Sequence, residues 1–154
     1  MNQVVIAELL GIAQKHRKQL GHMKMILSPT MPLTSATVET FTTDDIAAWD
    51  AFIMRFCMLQ DLMGTKLFSA FLTLAGQEAS TMTIIDMIHS LEKMGVIENS
   101  ELWRDIRETR NKLTHEYPNM PILSAELLNK AFFQIDTLFQ ILDAIGERNK
   151  TLNW

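Results

Sequence analysis

Leu128, Ala131, Phe132, Ile135, Leu138, Phe139, Leu142 and Ile145 recur at intervals of three and four. That is the period of one helix face and not the alternation of a strand. The same period runs through most of the chain, and only six glycines and four prolines interrupt it. Long unpunctuated stretches of this kind specify an all-α fold. With 154 residues the chain is expected to form a single domain, 1–154. A domain of that size hides roughly 70% of its unfolded surface.

Four to five helices follow from the pattern. The first runs from about Asn2 to Leu20, or on to Leu27, with Val5, Leu9, Ile12 and Leu20 on one face and Gly21 as a candidate break. Lys15, His16, Arg17, Lys18, His22 and Lys24 follow one another without an acid. Such a run either complements the C-terminal end of a helix dipole or forms an electropositive patch for phosphates. Residues 28–43 are rich in Ser, Thr and Pro and read as a long loop, since Pro29 and Pro32 disfavour a regular helix. Thr42, Thr43, Asp44 and Asp45 start a second helix that reaches about Ala75. Its stripe of Ile46, Trp49, Ile53, Phe56, Met63 and Leu67 is widened by Phe52, Leu59, Leu62 and Phe71. A helix so widely apolar lies at the centre of a bundle or in a dimer seam. Arg55 and Asp61 within it require partners. Thr83 and Asp86 mark a third helix that ends at Gly95, and His89 on it reads as solvated. Ser100 caps a fourth, 101–115, and the fifth runs from about 124 to Gly146. The second and fifth are expected to be longest.

Several function classes are set aside by what the sequence lacks. No apolar run approaches the roughly 18 residues of a membrane span. The start, Met1 to Val5, has no positive segment of the secretory kind, so a cytoplasmic chain is expected. The lone Cys57 has no cysteine partner for a disulfide and reads as core filler. No metal-ligand spacing is present, so neither a metal nor another cofactor is expected. A net charge of −4 argues against a general nucleic-acid coat, yet a local basic groove remains compatible with it.

The segment from Trp103 to Pro118 carries the most chemistry. On an ideal helix, at about 100° per residue, Leu102, Ile106, Leu113 and Tyr117 share a face, with Arg110 at its edge. Glu108, Asn111 and His115 form a separate polar stripe. Arg110 and His115 stand about 140° apart, so one regular helix does not bring both onto one small ligand. Either the helix unwinds near His115, ahead of Pro118, or a two-fold dimer joins two copies of the motif. Histidine can move protons near neutral pH, and arginine can hold a phosphate and stabilise developing negative charge. Together they suit phosphodiester chemistry on RNA, with the 2′-hydroxyl as nucleophile. The plainer alternative is an exposed charged helix whose end is neutralised by His115.

The run Arg110-Asn111-Lys112-Leu113-Thr114-His115-Glu116-Tyr117 resembles R-x4-H-x-Y, the signature of HEPN-domain proteins and of HepT-like toxins in particular. Its place on the penultimate helix, before one long amphipathic helix, is similar to that family, as is Arg55-Phe56 in the second helix. The resemblance implies an up-and-down helical bundle that forms a homodimer, with the two motifs facing each other across a cleft. It implies a metal-independent endoribonuclease, the toxin of a toxin–antitoxin pair. His115 would transfer protons, Arg110 would hold the scissile phosphate, and Asn111 would support the site. Arg104, Arg107 and Lys112 would contact RNA. The partner would be a minimal nucleotidyltransferase antitoxin able to attach AMP to the motif tyrosine, here Tyr117, whose other reading is a packed aromatic. An alternative within the family is a non-catalytic HEPN module that binds or docks substrate for a nucleotidyltransferase.

Overall fold

The computed structural model describes residues 2–115 and 121–151. Every regular element among them is helical. In chain order these are α1 (Asn2–Leu27), α2 (Ser35–Glu39), α3 (Thr43–Leu62), α4 (Phe68–Leu74), α5 (Ile84–Lys93), α6 (Ser100–His115) and α7 (Pro121–Thr151). A π turn, Met63–Leu67, joins α3 to α4 without a break, so the two make one rod. That leaves five main rods and the short α2. The rod 43–74 and α7 are the longest, as expected.

Reciprocal capping boxes set two of the starts. Thr42 accepts from the Asp45 backbone N–H while Asp45 accepts from that of Thr42, and Thr83 and Asp86 do the same for α5. Bonds from the Thr83 backbone and hydroxyl hold the Asp86 carboxyl below the usual carboxylate range. For α6 the cap is Asn99, not Ser100: Asn99 Oδ1 accepts from Glu101 N–H at 2.9 Å. Ser100 is buried, and its own N–H is turned to Glu92 of α5 at 2.6 Å.

α3 packs against α1, α6 and α7, which makes it the central helix of the bundle. Its Trp49, Phe52, Phe56 and Leu59 are buried, whereas Ile46, expected in the stripe, is 45% exposed. Phe52 stacks on Phe56 and, across to α7, on Phe132 at 6.3 Å. Each such buried side chain stabilises the fold by about 1.5–3 kcal/mol. The α7 stripe is buried as expected, with Phe139 only half covered.

The face of α1 differs from the expected one. The buried line is Ile6, Ala13, Leu20 and Leu27, spaced by sevens, with His16 beside it, while Val5 and Ile12 are exposed. Gly21 does not break the helix, because the line it would interrupt continues into the core at Leu27. α1 and α7 run antiparallel: Arg17 meets Asp143, and Lys24 meets Asp136 one heptad further along.

Residues 28–43 are more ordered than a loop. They hold a 3-10 turn, Ser28–Thr30, and α2, which starts only after both prolines. Asn129 of α7 clasps this segment, accepting from Leu33 N–H at 2.7 Å and donating to Leu33 O at 2.8 Å. α7 also outruns its expected ends. It begins at Pro121, where a missing N–H costs nothing. It passes Gly146, and beyond it Arg148 reaches back to the Met94 carbonyl at the end of α5. A cation there also meets the negative end of that helix dipole.

Candidate functional site on α6

α6 is fixed from below. Trp103, Ile106, Thr109 and Leu113 are buried, and the Trp103 ring lies 4.6 Å from that of Phe68 in α4. Opposite this anchor, Arg104, Glu108, Asn111 and His115 are all exposed, so the polar stripe faces outward.

Arg110 lies between these two faces and is half-buried. Its Nε and Nη2 donate to the two carboxylate oxygens of Asp61 at 2.8 and 2.9 Å. These bonds, outweighing a small loss of hydration, raise the guanidinium above its already high ordinary pKa. The remaining nitrogen, Nη1, turns to Asn111 Oδ1 at 3.4 Å. Asp61 therefore finds its partner on α6, while Arg55 finds a different one: its Nη1 approaches His16 Nδ1 at 3.1 Å. One turn before Asp61, Cys57 packs against the core beside Thr114, one turn after Arg110, so α3 and α6 run antiparallel. Burial pushes the Cys57 thiol up, against smaller opposing effects from Thr114 and Arg110.

Of the side chains expected to contact RNA, Arg104 pairs with Glu101 at 3.0 Å and Lys112 with Glu108 at 3.2 Å, both within α6. Such surface pairs contribute only a few tenths of a kcal/mol. Arg107 has no ion-pair partner among the described residues and faces a groove between α3, α5 and α6. α6 remains helical through His115, so unwinding before His115 is not the way Arg110 and His115 meet. Within one chain they stay about 140° apart around the helix. Tyr117 and Pro118 lie outside the described residues.

The groove beside Arg110 has a volume of about 450 Å³. Gln60, Gly64 and Trp103, which help to line it, were not singled out by the sequence. The available signal was Gly64, a glycine inside an otherwise apolar helix. Among the described residues, no three His, Cys, Asp or Glu side chains come together as a metal site, and no helix is long and apolar enough to cross a membrane. Compared with protein-family models and with curated proteins, the sequence matches none.

Proposed function

We propose that the chain is a metal-independent endoribonuclease of the HEPN type, a HepT-like toxin that acts as a homodimer in the cytoplasm. The observation that carries this reading is the setting of the motif. Arg110 is held by Asp61 with Nη1 toward Asn111, on a helix whose outward face presents Asn111 and His115. Because α6 stays regular through His115, the reading requires the second copy: Arg110 of one protomer and His115 of the other converge on one phosphate. The 2′-hydroxyl attacks phosphorus, and His115 relays the proton to the departing 5′-oxygen. A cyclic phosphate and a free 5′-hydroxyl result. Arg110 offsets the charge gathering on the phosphoryl oxygens. Arg104, Arg107 and Lys112 hold the flanking strand. A minimal nucleotidyltransferase antitoxin silences the site by placing AMP on Tyr117, whose added negative charge blocks the phosphate position.

The test is cleavage of total RNA by purified protein, with and without EDTA. Arg110→Ala and His115→Ala each lose about 10²–10⁴ in rate with an unchanged far-ultraviolet spectrum, and EDTA has no effect. Full activity of His115→Ala, or its loss on chelation, ends this reading. A second reading rests on Asp61, which occupies two of the Arg110 donors. It makes the chain a non-catalytic HEPN module that docks substrate for a nucleotidyltransferase. An inert wild type that forms a stable complex with such an enzyme favours it.

A further inference from the structure

In the π turn that joins α3 to α4, the Phe68 N–H donates to the Met63 carbonyl five residues back. Turns of this kind occur mostly as single insertions in α-helices and often at functional sites. Here the turn carries Gly64 to the wall of the groove beside Arg110. A Cβ on Gly64 would stand 3.2 Å from Gln60 Nε2 and 3.2 Å from Trp103 Cζ2, so the missing side chain leaves these two groups the space.

Both are deeply buried: Gln60 is 5% exposed and Trp103 fully covered. The Trp103 indole Nε1 has no hydrogen-bond partner among the described residues. The Gln60 amide lines the same groove. Buried donors are nearly always satisfied, so the orphaned indole N–H, with the Gln60 amide beside it on the same wall, marks a place that an external group completes. The groove, at about 450 Å³, falls in the range of small-molecule sites, roughly 300–1,000 Å³, and exceeds what a single water fills.

Its remaining walls restrict the occupant. Ile84 and Met87 of α5 supply an apolar side. Arg107, Arg110 and Asn111 crowd the rim, and Asp61, the one carboxylate lining the groove among the described residues, is taken by Arg110. The occupant therefore has a flat, partly apolar body with acceptors on its inner edge and an anion at its outer end. The geometry points to a nucleotide subsite: a base against Ile84 and Met87, its acceptor edge on Gln60 and Trp103, and its phosphate at Arg107 and Arg110. The occupant is a link of an RNA strand or a free mononucleotide; only the first rests on the ribonuclease reading.

The test follows the indole N–H resonance of Trp103, assigned by Trp103→Phe, in ¹⁵N-labelled wild-type protein. The probes are the four 5′-nucleoside monophosphates, dinucleotides made uncleavable by a 2′-deoxy sugar, and inorganic phosphate. The Trp103 resonance is expected to move downfield on nucleotide binding and to stay fixed with phosphate alone. Bases are expected to differ at least tenfold in affinity. Thr65→Phe, a change at an exposed position on the groove wall, weakens binding at least tenfold and leaves the Trp49 resonance in place as a check on the fold. A dinucleotide that binds tenfold tighter than its monophosphate identifies the RNA strand; equal or weaker binding identifies the free nucleotide. A Trp103 resonance unmoved by every nucleotide, or moved equally by phosphate, overturns the subsite. Because no probe is cleaved, an inactive protein that still binds nucleotide fails only the ribonuclease reading. Cleavage of RNA with an unmoved Trp103 resonance fails only the subsite.

Discussion

Two basic runs lie on this molecule, on α1 and on α6, and they are used in opposite ways. On α1, Arg17 meets Asp143 of α7 and its guanidinium lies 4.6 Å above the centre of the Phe139 ring, while Lys24 meets Asp136. On α6, Arg104 and Lys112 pair, among the described residues, with acids of their own helix, and Arg107 faces the groove. A cation paired across two helices fixes their register, and replacing its partner disturbs the packing. A cation paired within its helix can exchange that partner for a phosphate at a cost of about 0.3–0.5 kcal/mol. The runs look alike in sequence. What separates them is the facing helix: α7 places acids a heptad apart opposite α1, whereas α6 turns its run outward.

The strongest way to break this contrast is to weigh the two sides by stability. Leu20 is fully buried on α1, and Leu20→Ala is expected to cost about 2–5 kcal/mol. Arg107→Ala on α6 is expected to stay within about 0.5 kcal/mol, as surface changes do. Urea unfolding measures both. Comparable losses would mean that α6 is as much a packing element as α1, and the division between the two runs would disappear.

The next effect concerns RNA. Replacing Arg104, Arg107 and Lys112 together by Gln removes three candidate phosphate contacts. Each contact to a single strand contributes about 0.7 to the slope of log affinity against log salt, so the slope should become shallower by about 2 and the affinity fall on the order of 10–100-fold at physiological salt. Replacing Arg17 and Lys24 by Gln should change neither. Fluorescence anisotropy of a labelled single-stranded RNA across a salt series makes the comparison. An equal response from the α1 variant would move the binding face to α1.

How far each region could be read before its structure was known follows from the side chains involved. The α7 face was legible because large residues such as Leu128, Ile135, Leu138 and Leu142 mark it without competition, and all are buried. The α1 face was misjudged because Ala13 and His16 belong to it, while the more hydrophobic Val5 and Ile12 point outward. Hydropathy does not flag an alanine that lets a neighbouring helix approach, nor a histidine covered by one. At the site, the spacing of Arg110, Asn111 and His115 was plain, and so was the outward polar stripe. The Asp61 pairing was not, since two charges 49 residues apart meet only once α3 and α6 are laid antiparallel. Gln60 and Trp103 were still less visible: both come to one groove wall only in the packed structure, and the significance of Trp103 is an indole N–H without a partner among the described residues.

The smallest expected effect belongs to His16, the one member of the α1 run that is buried. Its Nδ1 faces Arg55 Nη1 at 3.1 Å, so the ring accepts from a permanent cation and must be neutral at that nitrogen. Burial lowers its pKa first, and the Arg55 charge lowers it further. The sign of the linkage follows. The unfolded chain takes up its proton near the ordinary value of about 6.5, before the folded chain does. The stabilisation is therefore complete above that pH and is lost as pH falls toward the lower folded value. His16→Gln keeps an acceptor for Arg55 but does not titrate. The stability difference between wild type and His16→Gln should be constant at pH 7.5 and above, and should shift against the wild type between pH 6.5 and 5. Carboxylates titrate in both proteins and cancel in the difference. A difference that stays flat down to pH 5 would show that His16 binds its proton equally in both states. The α1 run would then lack the buried, neutral contact that distinguishes its interior side from α6.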